Sequence, residues 1–473
     1  MVFFGNFASE MERNNNEKLS ELSSESPARL LWRYCLPAVV GMLVMSLYNI
    51  IDRIFIGQGV GPEAIAGLAI TFPVMNLSAA LGVLIGAGGS ARISILLGAG
   101  DKAGAKKVLG NALVLLTMII VCYLTVFAVF IDDILMAFGA SEVTLPYARD
   151  FMLYILPGMF MTNFAFTFNN FMRVTGYPVK AMVTMFIGAG VNVVLAPVFI
   201  FVLGWGIKGA AIATDISMAI SAIFVMRHFF SPTHTLHFER AGWMYSLSAR
   251  VVLAIISVGA APSLVNAAAC FINVIINKTL YEYGGDIAVG AAGIFTSYTS
   301  LMTMVVVGIC QGMQPIVGFN YGAGLYHRLK STYWLAVGVS TLIVTTGQLT
   351  GLFLPGYIAK AFTTDAGLIS VTSTCLSNAL LAFTVVGFQT VSTTLFQSLG
   401  KAGASIFLSL ARQVLFLIPL LLVLPPKFGL MGIWWSFPLS DLMATVVTAI
   451  MVFFELRAIS RLSSERPVPQ VTQ

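Results

Sequence analysis

Charge is what this sequence has least of. Asp, Glu, Lys and Arg make up 10% of its 473 residues, against roughly 25% in soluble domains. Such a chain cannot cover a water-facing surface, which excludes a soluble enzyme and a charge-rich disordered scaffold. Cysteine is scarce too: Cys35, Cys122, Cys270, Cys310 and Cys375 lie far apart, mostly inside apolar runs. No Cys-x-x-Cys or Cys/His spacing offers a metal site or a disulfide framework, so they read as ordinary buried small residues. No GxxxxGK[ST] phosphate loop occurs, and the chain has no recognisable ATP site of its own. Nucleophile elbows, HExxH pairs and paired catalytic carboxylates are absent as well. The chain is therefore read as no enzyme, with no cofactor beyond a coupling ion, H⁺ or Na⁺. The first thirty residues are polar and lack the basic start and apolar core of a signal peptide, so they read as a cytoplasmic tail.

What the sequence does have is apolar length. Residues of the AVILMFWYC class reach 58%, with mean hydropathy +0.89. The 35 Phe, 22 Met and 43 Gly suit lipid-facing helices with closely packed backbones. A spanning helix needs about 20 mostly apolar residues. Twelve such runs are predicted, at 31–56, 65–90, 108–131, 151–171, 181–203, 210–230, 254–280, 291–317, 332–354, 372–399, 404–424 and 430–456. With both termini assigned to the cytoplasm, only Arg53, Arg149, Lys208, Lys278, Lys360 and Lys427 fall outside, out of 26 Lys and Arg. That bias satisfies the positive-inside rule. It also disposes of nucleic acid as the reason for the net charge of +6, because the basic residues flank spans and form no patch. The four histidines, His228, His234, His237 and His327, read as solvated loop or interface residues.

The two halves echo each other. Pro37 matches Pro262 at an offset of 225; Gly98-Ala99-Gly100 matches Gly322-Ala323-Gly324 at 224; Gly176 matches Gly400 at 224; Gly206-xx-Gly209 matches Gly429-xx-Gly432 at 223. Six spans per repeat is an even number, so both halves share one orientation. The fold expected is all-α and integral to the membrane: 12 transmembrane helices in two parallel-repeat six-helix bundles with a central cavity. The domains expected are a cytoplasmic N-terminal tail (1–30), a first bundle (31–230), a cytoplasmic linker (231–253), a second bundle (254–456) and a cytoplasmic tail (457–473). Gly82-xxx-Gly86-xxx-Ser90 reads as helix-packing chemistry, although Gly86-Ala87-Gly88-Gly89 superficially resembles a nucleotide loop.

Acids inside apolar helices carry the most information. Asp52, Asp215 and Asp441 each cost roughly 2.5–3.5 kcal/mol to insert, so each needs a partner or a function. Asp52 and Asp215 both lie roughly 6–8 Å below the outer end of their spans, at a depth where they could share one site. Asn192 and Thr214 offer neutral oxygens there for Na⁺, while a carboxylate alone carries a proton. The alternative for Asp52 is an interfacial acid screened by Arg53 and water; Asp215 admits a similar reading. Asp441 and Arg412 sit at heights differing by roughly 10 Å on straight helices. They read equally as a structural ion pair or as a substrate or coupling group. Gln311, Gln314 and Asn320, with Asn273 and Asn277, either line the second bundle's cavity or hydrogen-bond between helices.

Joined together, several motifs resemble a known family. Asn49-Ile50-Ile51-Asp52 with Gly57, Leu97-Gly98-Ala99-Gly100-Asp101, Arg173-xx-Gly176-xx-Pro178 and Gly206-xx-Gly209-Ala210-Ala211-xx-Ala213-Thr214 come from the first half. The run Gln314–Ala323, Arg412-Gln413, and Gly432-Ile433-Trp434 leading to Asp441 come from the second. From about residue 30 to 456 the chain resembles multidrug and toxin extrusion (MATE) transporters, in their MepA-like bacterial branch. The resemblance implies cation-coupled efflux of amphipathic, often cationic, drugs and dyes. It also implies a cation site of the helix-one acid (Asp52), the helix-five Asn (Asn192), the helix-six Thr (Thr214) and a helix-four Asn, for which Asn163 is the candidate. One departure stands out: Ala196 lies where many members carry Asp, four residues after the helix-five Asn. Asp215 is the candidate substitute.

The expected function is thus an H⁺- or Na⁺-coupled antiporter for small amphipathic substrates, working as a monomer in the bilayer of a bacterial inner membrane. An apolar, Met-rich site accepts many shapes. The alternative is a lipid-linked oligosaccharide flippase of the same fold. Its anionic cargo requires several inward-facing basic residues, whereas here they sit at span ends.

Overall fold

The computed structural model describes residues 20–60, 62–142, 144–239 and 242–465, so most of the N-terminal tail and the last eight residues lie outside it. All regular structure among them is helical. The first six long helices are α1 (Pro27–Gly59), α2 (Pro62–Gly98), α3 (Lys102–Val129), α4 (Leu145–Val174), α5 (Pro178–Pro197, extended by a π-helical turn, Val198–Val202) and α6 (Gly206–Phe230). Ala249–Gly322 is helical for 74 residues, about 110 Å at 1.5 Å per residue, far too long for one crossing of a hydrocarbon layer about 30 Å thick. It turns at Gly285, whose φ of 62° lies in the left-handed region, giving α7 (249–284) and α8 (286–322). α9 is Tyr326–Phe353. α10 is a broken span, Ala366–Ala379 and Thr384–Ser398, bent by 59°. α11 begins as Ala402–Leu410 and continues through a π-helical stretch (Ala411–Leu417) into Ile418–Val423, and α12 is Leu430–Glu465. Ten helices pass as spans outright; the turn in α7–α8 and the bent α10 bring the described spans to twelve.

The repeat is written in the backbone. Gly100 and Gly324 have φ of 78° and 73°, Gly176 and Gly400 96° and 73°, and Gly206 and Gly429 56° and 57°. Glycine adopts this left-handed conformation without steric cost, which is why it ends helices so often. The motif glycines therefore mark the same turns in both halves. A short helix follows α3 (Ile131–Ala137) and another follows α9 (Pro355–Phe362), again 224 residues apart.

Two compact units emerge. One is built mainly from Val40–Asn266, the other from Ser26–Val39 and from Ala267 onward. The start of α7 thus packs in the first unit, where an added Cβ on Gly259 would stand 1.8 Å from the Leu84 carbonyl of α2 and one on Gly88 2.0 Å from that of Ile255. Within the first unit α4 packs against both α2 and α6. Gly82 and Gly86 make this possible, since their missing side chains admit Asn163, Thr167 and Asn170 of α4. Thr167 donates to the Gly82 carbonyl at 3.1 Å. Large apolar side chains such as Phe271 and Val202 remain more than 70% exposed, as a lipid-facing surface requires.

Two sequence expectations are corrected. His228 is buried, stacked on His234 with ring centroids 3.8 Å apart, and both rings lie against Tyr177. An aromatic nest at the end of α6 accepts imidazole faces that the loop reading left in water. Of the cysteines, Cys35, Cys310 and Cys375 are buried, Cys122 on α3 is exposed, and the side chain of Cys270 lies outside the described residues; in lipid, an exposed thiol is no more costly than an exposed alanine.

Candidate functional site

The geometry gathers one polar cluster in the first unit around α1, α5 and α6. Asn192 of α5, 1% exposed, donates from Nδ2 to Thr214 Oγ1 of α6 at 3.0 Å. The Thr214 hydroxyl donates to the Ala210 carbonyl one turn back, at 3.1 Å, so its lone pairs face the cluster. Tyr48 of α1 shares a side-chain hydrogen bond with Thr214 and lies within the electrostatic reach of Asp52. Tyr48 and Asp52 are four residues apart and therefore on one helical face. Asp52 Oδ1 is buried. The surroundings are apolar and sulfur-rich: Tyr48 packs with Ala189 and Met218, against Val44, Met45 and Met161. A carboxylate, a phenol, a hydroxyl and an amide in such surroundings can hold a proton or a small cation, because Tyr48 and Asn192 are buried, Asp52 and Thr214 half-buried, and electrostatics there act over a lower dielectric than water.

Tyr48 was invisible to motif reasoning. Its signal was present as the i−4 neighbour of an intramembrane acid. The side chain of Arg53, the alternative screen for Asp52, lies outside the described residues, as do those of Asn49 and Gly57.

The other candidates fall elsewhere. Asn163 is buried between α4 and α2, donating to Ser78 Oγ at 2.9 Å and to the Met159 carbonyl at 2.8 Å. Asp215 faces α4, where an added Cβ on Gly158 would lie 1.9 Å from its Oδ1. Only glycine leaves room for that carboxylate, whose Oδ1 is buried against the α4 backbone.

In the second unit Arg412 Nε donates to Asp441 Oδ1 at 2.6 Å, closing the height difference of roughly 10 Å inferred for straight helices. α11 is not a regular helix there: Arg412 sits at the start of its π-helical stretch, and the long guanidinium arm supplies the remaining reach. Gln389 of α10 braces the pair, donating to the Asp441 carbonyl at 2.5 Å and to Thr445 Oγ1 at 2.7 Å. The amides do not form one cluster. Asn320 is fully buried, bonding back to the Ile316 carbonyl and accepting from Arg328 Nε at 3.2 Å, which closes the turn into α9. Gln314 is buried, Gln311 half-buried, and Asn273 and Asn277 are exposed on α7. Among the described residues, no group of three or more His, Cys, Asp or Glu could hold a metal ion.

Comparison with known proteins gives this geometry a context. The MatE family model matches twice, at residues 37–198 and 262–423, reproducing the offset of 225 between the halves. The chain is 25% identical over 445 residues to the multidrug export protein MepA of Staphylococcus haemolyticus, covering 93% of this chain and 96% of that one. It is 26% identical over 431 residues to an FAD transporter of Shewanella oneidensis, covering 89% and 93%. Its fold superposes on an outward-facing multidrug resistance MATE family transporter of the MOP superfamily with a TM-score of 0.87 and 26% identity, over 93% of this chain and 98% of that one. A doubled MatE match across most of its spans, on a twelve-span helical fold, establishes that the chain belongs to the MatE family of membrane transporters and is not an enzyme.

Proposed function

We propose that this transporter is a cation-coupled antiporter, driven by H⁺ or Na⁺, that exports small amphipathic, often cationic, drugs and dyes by alternating access. The observation that carries the reading is the Asp52–Tyr48–Thr214–Asn192 cluster, an acid held with neutral oxygens in a methionine-lined apolar setting. A buried acid couples two fluxes reciprocally: the ion and the drug favour different states or compete for one site. The six-helix repeats, 31–230 and 254–456, are the moving parts, joined by the linker at 231–253. The protein works as a monomer in a bacterial inner membrane, with both termini in the cytoplasm, as the distribution of Lys and Arg favours.

An anionic cargo, whether a dinucleotide or a lipid-linked oligosaccharide, fits less well. Arg412 lies midway along α11, and Asp441 already balances it. The test is dye efflux from loaded, pump-deficient bacterial cells, comparing wild type with Asp52→Asn at equal expression, with and without Na⁺ and a protonophore. Efflux lost in the variant supports the reading, and the ion conditions name the coupling ion. No efflux from well-expressed wild type rejects the drug substrate class and turns attention to FAD or lipid-linked cargo. An Asp215→Asn variant with unchanged activity and ion dependence removes Asp215 from the coupling set. Fusion reporters at each end that place either terminus outside overturn the orientation.

A further inference from the structure

A groove of about 290 Å³ runs beside the first turns of α1, entirely within the second compact unit. Trp32, Leu36 and Val39 of α1 form one wall, and Ile309 of α8 with Leu335 and Val339 of α9 form the other. The α1 residues recur at three- and four-residue spacing from Ala28 to Val39, a single helical stripe. Eleven residues at 1.5 Å each make it about 16 Å long, half of a hydrocarbon layer about 30 Å thick, so it has the depth of one leaflet. Its wall offers nothing to a water-soluble ligand: the Cys35 thiol is turned away, donating to the Ile309 carbonyl at 3.3 Å. α1 is held down on α8 beneath the groove by two glycines. A Cβ on Gly308 would stand 2.7 Å from Val39 Cα, and one on Gly312 2.6 Å from Cys35 Cα. The walls are therefore fixed, and the rim is open, with Trp32 66% and Leu36 53% exposed.

Charge borders the first half of this stripe alone. Arg29 and Arg33 are exposed on α1, one turn before Trp32 and Leu36 respectively and on the same face. At the repeat offset of 225 their counterparts on α7 are Ala254 and Val258, so the basic pair belongs to α1 and is not inherited from the repeat. Basic residues and tryptophan at the start of a span are the side chains that meet lipid headgroups.

We propose that this groove is a binding site for one acyl chain of an anionic phospholipid, whose headgroup engages Arg29 and Arg33. The leaflet is the one into which the N-terminal end of α1 opens. A bound chain braces the start of α1 against α8 and α9.

Trp32 is the reporter that tests this. The full-length protein is reconstituted in phosphatidylcholine vesicles containing a small share of lipid brominated on its acyl chains, either phosphatidylglycerol or phosphatidylcholine. The difference in quenching between wild type and Trp32→Phe isolates the Trp32 signal. Brominated phosphatidylglycerol is expected to quench Trp32 at a roughly thirtyfold lower share than brominated phosphatidylcholine, as two basic side chains at about 1 kcal/mol each near one anionic headgroup predict. Arg29→Gln with Arg33→Gln should equalise the two lipids, and Val305→Phe, which narrows the groove, should weaken quenching by both. Quenching that follows the bulk share of either lipid alike in wild type overturns the proposal, because it is contact with bulk lipid only. The arginine variant changes exposed side chains and keeps the test decisive should the groove variant fail to fold.

Discussion

The two halves share turns, helices and motif glycines, yet place opposite chemistry at matching positions. At the offset of 225, Tyr48 and Asp52 of α1 correspond to Asn273 and Asn277 of α7. At 223, Met218 of α6, which packs on Tyr48, corresponds to Asp441 of α12. At 224, Gly188 of α5 corresponds to Arg412 of α11. The first half thus groups an acid with neutral oxygens, while the second binds its acid to a guanidinium at 2.6 Å. Gly158 and Asp215 differ in the same manner. Their counterparts are Ala382 and Pro438, which carry no carboxylate. A duplicated fold fixes where side chains stand; which half titrates depends on whether each acid is already neutralised.

The sharpest way to break this comparison is to unbalance the second half. Asp441→Asn leaves Arg412 without its carboxylate and is expected to cost about 3–5 kcal/mol, read as a large fall in thermal unfolding temperature. Arg412→Gln combined with Asp441→Asn should recover most of it. Equal losses in the single and double variants would show that the pair is more than structural.

Next in size, Gly158→Ala gives the first half the residue of the second. Its Cβ meets the Asp215 carboxylate, so a loss of about 1–3 kcal/mol is expected, and Asp215→Ala in the same chain should restore stability. Smaller still, Tyr48→Phe removes one hydrogen bond of about 0.5–1.5 kcal/mol. It should weaken the apparent affinity for the coupling ion severalfold without changing folding, as titration of transport against ion concentration would show.

The smallest effect lies in the linker, which occurs once and so has no repeat partner. Asn111 of α3 fastens it, donating to the Met244 and Ser246 carbonyls at 3.3 and 3.2 Å, and Lys106 pairs with Glu239. The hydrogen bond from Lys106 holds the Glu239 carboxyl below its ordinary range, against the opposing pull of burial. A depressed carboxyl stabilises the fold above its ordinary pKa of about 4.3, and that contribution fades as pH falls through the lower folded value. Glu239→Gln should therefore cost less than about 1 kcal/mol at neutral pH. Its unfolding temperature should converge on that of wild type in acid.

Much of the fold was legible because the membrane imposes a length that sequence records directly: apolar runs near 20 residues, separated by turn glycines at a constant offset. The bent α10 and the joined α7 and α8 were less so, since a kink at Gly285 and a break after Ala379 are single-residue events inside apolar text. Within the candidate site, Asp52, Asn192 and Thr214 stood out as polar residues in apolar helices. Tyr48 did not, because tyrosine is common in membrane spans. The Arg412–Asp441 contact was hidden by the straight-helix estimate, which a π-helical stretch invalidates. His228 misled for a related reason: a helix-end histidine next to basic Arg227 reads as solvated until Tyr177 and His234 fold over it.

We propose that Asp52, and not Asp441, couples the ion to the cargo. The direct test is transport of a cationic dye by the purified protein in liposomes, measured both as accumulation driven by an imposed H⁺ or Na⁺ gradient and as gradient-free exchange. Asp52→Asn is predicted to keep exchange and to lose at least about tenfold of driven accumulation, the scale of one coupling interaction of roughly 1.4 kcal/mol or more. Arg412→Gln with Asp441→Asn should keep both. Driven accumulation that survives in Asp52→Asn and fails in the second-half variant would contradict the account.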